Sequence, residues 1–245
     1  MAMAARNLLL HVVGAALLAA AVRADDLHTP FAALLAKYVD AEGKVAYRSL
    51  AQQDAATLDA YLQALERADP GTMSPAEQTA FWINAYNAHV IRGVLDGYDA
   101  EGRVARLRFF GFYSFPVAGR KRTLNDIEND ILRGQLHEPR IHFALVCAST
   151  SCPKLRREAY RGDRLEAQLD EQARSFLDDP TRNQFGPGGI AKLSSIFKWF
   201  ADDFVRAAGS VPAFIGRYRQ LPAGARIEYL DYDWSINAQP GQRPE

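Results

Sequence analysis

Ser74-Pro75-Ala76-Glu77-Gln78-Thr79-Ala80, running on into Phe81-Trp82-Ile83-Asn84-Ala85-Tyr86-Asn87-Ala88-His89, is the stretch on which the reading of the fold turns. Ser74 is an N-cap residue, Pro75 suits the first helical position, and Glu77 sits where a capping box needs a carboxylate. These signals predict a strong helix to about Leu95, ended at Gly97. Its body is largely apolar, yet it carries two asparagines and a histidine. Three-residue spacing puts Asn84 and Asn87 on one side, with His89 elsewhere. A buried amide without partners costs roughly 1–3 kcal/mol. The asparagines therefore either tie down the backbone of a neighbouring loop or line a polar site.

Working outward, helices are expected over Phe31–Tyr38, behind Pro30, and over Asp54–Arg67, with leucines at 58, 62 and 65. Asp69-Pro70-Gly71 breaks the second. Downstream, the aromatic-rich segment from Arg103 to Val117 reads as a loop leading into a strand. Thr123 caps a helix to about Leu136, with Asp126 three residues on. Ile141–Ala148 is a nearly continuous apolar run and reads as a strand buried on both faces. A helix follows over Asp163–Leu177, then two short strands around the glycines at 186, 188 and 189. A helix from Ser194 or Ser195 carries Phe197, Trp199, Phe200 and Phe204. A short helix over Val211–Tyr218 and a strand over Arg226–Trp234 complete the chain. No regular βαβ alternation runs through this order. The expectation is an α+β fold, helices packed on a small, mostly antiparallel sheet, as one domain over 25–245 with its core at about 30–238. Trp82, Phe143, Leu145, Phe197, Trp199 and Phe204 are expected to be buried.

The chain has 245 residues, 48% hydrophobic and 24% charged, with 29 basic and 29 acidic side chains. That composition excludes a disordered chain and a multi-span membrane protein. Balanced charge without long like-charge runs argues against nucleic acid as a partner. A small molecule or peptide is the partner class left. Two cysteines exclude a disulfide scaffold and a four-cysteine zinc site.

Met1–Ala24 has the form of a secretory signal: Arg6, an apolar run over Leu8–Val22, then Val22-Arg23-Ala24 before Asp25. The apolar run is shorter than the roughly 20 residues a spanning helix needs. Cleavage after Ala24 and export are expected, to the periplasm in a Gram-negative source, with no stable membrane span afterwards.

The chemistry-bearing segment is Arg140-Ile141-His142-Phe143-Ala144-Leu145-Val146-Cys147-Ala148-Ser149-Thr150-Ser151-Cys152-Pro153. Cys147, at the end of the expected strand, reads as a nucleophilic or ligand-binding thiol, a core thiol, or half of a disulfide with Cys152. If catalytic, its pKa should be depressed, with Cys152 not sharing that property. In a straight strand His142 and Cys147 would lie about 16 Å apart on opposite faces, so His142 could serve as base only if the chain bends. Glu128 could orient a histidine or pair with Arg133 or Arg140. Asn84, Asn87, Arg140 and Ser149 complete a candidate polar cluster. The histidines show no close metal-ligand pair and the glycines no phosphate loop, so no metal or cofactor is expected.

Phe81–Asn87, Thr123–Arg133, His142–Pro153, Leu193–Phe204 and Tyr229–Asn237, in that order, resemble the domain-of-unknown-function family 547. The resemblance puts weight on Glu128, Cys147 and the asparagine-bearing helix. It implies an exported bacterial member and a fold distantly similar to papain-like or transglutaminase-like cysteine hydrolases. Plant members carry a similar domain in longer intracellular proteins, often with serine at the position of Cys152, which favours Cys147 as the functional thiol. Many bacterial members read Ile-Glu-His where this chain has Ile127-Glu128-Asn129. Two functions follow as expectations. One is a ligand-binding or envelope scaffold domain, with Phe109–Phe115 as a potential groove lining. The other is a cysteine-dependent hydrolase or acyl transferase on an amide or thioester. There Cys147 would be the nucleophile, His142 the base, Glu128 or an asparagine the orienting group, and N–H groups near Ala148 and Ser149 the oxyanion site.

Overall fold

A computed structural model describes residues 24–98, 102–186, 189–221 and 224–243. The expected signal segment before Ala24 lies outside the described residues. Ten helices are described: α1 (Ala24–Leu27), α2 (Thr29–Tyr38), α3 (Tyr47–Gln53), α4 (Ala55–Arg67), α5 (Pro75–Leu95), α6 (Arg103–Gly111), α7 (Leu165–Asp178), α8 (Ile196–Trp199), α9 (Ala201–Ala208) and α10 (Val211–Ile215). Five short strands join them: β1 (Phe115–Val117), β2 (Arg120–Arg122), β3 (Gln184–Phe185), β4 (Ile190–Leu193) and β5 (Arg226–Tyr229). The fold is α+β. β1 and β2 form an antiparallel hairpin, and β4 is flanked by antiparallel β3 and parallel β5. The last strand is shorter than expected, and its partner runs in the same direction.

Helix α5 is the axis of the larger core. Ser74 Oγ accepts from Glu77 N–H at 3.3 Å, and Glu77 Oε2 accepts from Ser74 N–H at 2.8 Å, completing the capping box. Every residue from Thr79 to Ile91 is buried, so the helix is enclosed on all sides rather than amphipathic. Gly93 admits the Phe109 ring of α6, which a Cβ there would overlap. Because Phe109 docks there, Arg103–Gly111 is helical where a loop was expected.

The second core is aromatic: Phe143, Phe176, Phe197, Phe204 and Phe214 pack with ring centroids 4.8–6.2 Å apart. Phe143 belongs to this core, whereas Ile141, Ala144, Leu145 and Val146 belong to the first. The segment threads between two cores, which is why nearly every residue in it is apolar. It is not a strand. Pro139–Phe143 is a short 3₁₀ turn followed by irregular chain. Side chains replace the missing ladder. Asn87 Nδ2 donates to Ala144 O at 3.0 Å, Asn87 Oδ1 accepts from Val146 N–H at 2.9 Å, and Gln172 Nε2 donates to Phe143 O at 2.9 Å. Trp82, Phe143, Leu145, Phe197 and Phe204 are buried, but Trp199 is 47% exposed. It ends α8, where the helical chain breaks at Phe200, and turns outward.

Candidate functional site

Where the seam segment leaves the two cores it enters a tight loop. Ala148 adopts a left-handed conformation, φ 62°, and Cys152 N–H donates to Ser149 O at 3.1 Å. A non-glycine residue at positive φ turns the chain back on itself. The loop is held from outside by Arg182, whose Nε donates to Cys152 O at 2.6 Å and Nη2 to Thr150 O at 3.0 Å. The C-terminal segment braces it too: Thr150 and Ser151 N–H groups donate to the Ser235 and Asp233 carbonyls at 2.7 and 3.1 Å. That segment delivers Tyr232 and Trp234 beside the thiols.

Cys147 and Cys152 are free thiols. Cys152 Sγ accepts from Cys147 N–H at 3.0 Å, from Ser149 Oγ at 3.2 Å and from the Tyr232 hydroxyl at 3.2 Å. Cys147 Sγ lies 3.1 Å from Ser149 Oγ and 3.6 Å from the Tyr232 hydroxyl. The expected protonation is reversed by this geometry. The Cys147 thiol is pushed well up by its hydrogen bond to Cys152 and by burial. Burial opposes ionisation of Cys152, but hydrogen bonds from Cys147, Ser149 and Tyr232 outweigh it and hold its thiol below the usual range. The two shifts run in opposite directions, favouring a proton on Cys147 and ionisation of Cys152.

Both sulfurs line a pocket of about 530 Å³. Its walls are largely apolar, with Leu107, Phe110, Leu145, Ile196, Trp199, Phe200 and Trp234, and also carry Arg103, Arg106, Asn125 and Asn129. Its floor is polar, with Tyr86, Glu128, His142, Cys147, Cys152 and Tyr232. Trp199, Tyr232 and Trp234 form an aromatic cluster with centroids 4.5–5.8 Å apart, and Arg106 lies over the Trp234 ring at 3.9 Å. Within Phe109–Phe115, Phe110 lines this pocket, Phe109 and Phe115 are buried, and Phe112 and Tyr113 are exposed.

His142 enters the same pocket because the chain between it and Cys147 is bent rather than extended. Its Nε2 lies 2.7 Å from Asp203 Oδ2, and its ring stacks on Phe200 at 3.9 Å. Burial pushes the Asp203 carboxyl up, but hydrogen bonds from His142 and Arg133 outweigh this and hold it well below the usual range. An ionised carboxylate can only accept, so His142 carries its proton on Nε2 and keeps the Nδ1 lone pair. Nδ1 makes no hydrogen bond among the described residues. Burial lowers the His142 pKa, and Asp203 only partly restores it, which leaves the ring neutral near pH 7. No hydrogen bond joins His142 to either thiol. Glu128 sits in a π-helical turn over Asp126–Arg133, where Tyr86 OH donates to its Oε2 at 3.3 Å. Burial pushes its carboxyl up to about 7, against that hydrogen bond and Arg133.

Three members of the expected polar cluster stand elsewhere. Asn84 is spent on the Tyr160 backbone, donating to its O at 2.8 Å and accepting from its N–H at 2.9 Å. Asn87 is spent on the Ala144 and Val146 backbone. Arg140 pairs with Glu138, Glu166 and Asp170. Only Ser149 of that group joins the thiols. Sequence reasoning missed the hydrogen-bond frame around Cys152, and with it Tyr232, Trp234, Tyr86 and Asp203. The one local signal was the aromatic Tyr229–Trp234 run, read there as a strand. Among the described residues, no three His, Cys, Asp or Glu side chains gather so as to hold a metal ion. No described helix is long and apolar enough to cross a membrane.

Residues 70–177 match the family model described as "Protein of unknown function, DUF547". Over that stretch the chain resembles this family. The DUF547 match contains Tyr86, Glu128, His142, Cys147, Ser149 and Cys152. Ile196, Trp199, Phe200, Tyr232 and Trp234 lie beyond it, as does Asp203, so one side of the pocket is built by chain outside the match. No curated protein and no solved structure matches this chain.

Proposed function

We propose that the protein binds a small molecule or a short peptide segment in the thiol pocket. The reading rests on one observation: an aromatic-walled pocket of about 530 Å³ has a floor of polar groups, among them Glu128, shifted by burial, and Cys152, shifted by hydrogen bonds. Pockets of this size and contrast suit drug-sized ligands, the walls taking the apolar body and the floor fixing orientation. Anilinonaphthalene sulfonate, an apolar dye with one anionic group, is the first probe. It should bind the native protein and quench the fluorescence of Trp199 and Trp234. Trp234→Ala should weaken it by about tenfold. Unchanged binding in both Trp234→Ala and Phe110→Ala proteins would overturn the reading.

The His142–Asp203 pair favours a second reading, cysteine-dependent acyl transfer. The Cys147 sulfur would add to an amide or thioester carbonyl as its proton passes to His142 Nδ1. The leaving amine or thiol would take that proton, and water would release the acyl group. Asp203 then replaces Glu128 as the orienting group. Formation of an acyl adduct at Cys147 from an activated thioester, absent in Cys147→Ser, is the expected result. An adduct surviving that substitution, or none in the wild type, would exclude it.

The reading of Met1–Ala24 as an export signal belongs to the same proposal, which places the mature protein in an oxidising compartment. Mass analysis of exported protein should find Asp25 first, and an intact Met1 would refute cleavage.

A further inference from the structure

Two sulfurs in this protein share one hydrogen-bond frame. Ser149 Oγ lies 3.1 Å from Cys147 Sγ and 3.2 Å from Cys152 Sγ, and the Tyr232 hydroxyl reaches both at 3.6 and 3.2 Å. The left-handed turn at Ala148 puts the two cysteines on one side of a short loop, and Arg182 and the C-terminal segment clamp that loop. The sulfurs differ in access. Both line the pocket, but Cys147 is partly exposed, whereas Cys152 is 3% exposed. A binding pocket needs no thiols, and an acyl-transfer site needs only one. A reachable sulfur backed by a second, held in the same frame, is the arrangement of an attacking and a resolving thiol.

We propose that Cys147 and Cys152 form a redox-active dithiol that exchanges with a small organic disulfide admitted by the pocket. The pocket of about 530 Å³ accommodates a tripeptide-sized thiol against Cys147. In the first step the pair, having lost one proton, carries the other on Cys152, and the Cys147 sulfur bonds to one substrate sulfur. The substrate disulfide breaks and its other half leaves as thiolate. In the second step the Cys152 sulfur attacks Cys147 Sγ, and the mixed disulfide breaks. The second half of the substrate leaves as a thiol, carrying the proton that Cys152 gives up. Two electrons pass from the pair to the substrate, leaving an intramolecular Cys147–Cys152 disulfide. The reaction requires the pocket to admit small molecules and does not require the acyl-transfer reading.

The experiment uses the whole protein in mixtures of reduced and oxidised glutathione, quenched with acid and mapped by mass. Oxidising mixtures should convert wild type to a form lacking two hydrogens, with no glutathione retained. Cys152→Ser should stall as a glutathione adduct on Cys147. Cys147→Ser should form adduct at least about tenfold more slowly, because only the buried sulfur remains. Wild type that keeps both thiols in oxidised glutathione would overturn the proposal, as would wild type that accumulates a stable adduct without closing. Iodoacetamide in parallel separates the two failures. Labelling at Cys147 with no reaction toward glutathione disulfide defeats exchange but leaves the binding pocket standing. No labelling by either reagent defeats both.

Discussion

Two polar clusters lie side by side along helix α5 and behave oppositely. Asn84 and Asn87 are buried amides with donor and acceptor both spent on backbone, at 2.8–3.0 Å. Neither lines the thiol pocket. Tyr86, between them on the same helix, joins Glu128, the thiols and His142 at the floor of a pocket. The difference is one of completeness. A satisfied amide fixes the chain, whereas a group aimed at open space keeps chemistry in reserve.

The largest expected effect comes from breaking the clamp. Asn87→Ala leaves Ala144 O and Val146 N–H unpaired in the interior and should cost about 2–5 kcal/mol in chemical unfolding. A loss under about 1 kcal/mol would mean that the seam segment finds other partners. Next, Asp203→Asn removes the charge that balances Arg133 and orients His142, both beside a nearly buried carboxylate. A cost of about 2–4 kcal/mol is expected. It should come with a change in the His142 tautomer readable by nitrogen NMR, which loss of packing alone would not produce.

A smaller effect separates the clusters by pH. Burial raises the folded-state pKa of Glu128 to about 7. The folded protein therefore binds more protons than the unfolded chain between the ordinary glutamate pKa and 7, and this carboxyl makes stability fall as pH rises through that window. Glu128→Gln should flatten the slope by roughly 1–3 kcal/mol between pH 4.5 and 7.5. An unaltered slope would place the carboxyl in water. Smallest of all, Cys147→Ser should change stability by about 1 kcal/mol or less, since its sulfur supports no backbone.

Much of the fold was legible because its signals were local. The Ser74–Glu77 box and the Asp54–Arg67 leucine spacing each act within a few residues. The seam segment was not, because a continuous apolar run reads alike whether a sheet or two side-chain clamps satisfy its backbone. Asn87 acts 57 residues from Ala144, and Gln172 acts 29 residues from Phe143. The pocket was half legible for the same reason. His142, Cys147 and Glu128 lie in distinctive segments, whereas Asp203 and Tyr232 arrive from 61 and 85 positions along the chain. The surroundings of Cys152 were not legible because its three donors are assembled only by the folded loop.

The most direct test of the account is therefore the ionisation of that thiol pair, followed by ultraviolet thiolate absorbance across pH 5 to 9 in wild type, Cys147→Ser and Cys152→Ser proteins. The account requires one thiolate in wild type at pH 7, retained in Cys147→Ser and lost in Cys152→Ser. Two neutral thiols in wild type at that pH, or a thiolate that survives Cys152→Ser, would contradict it.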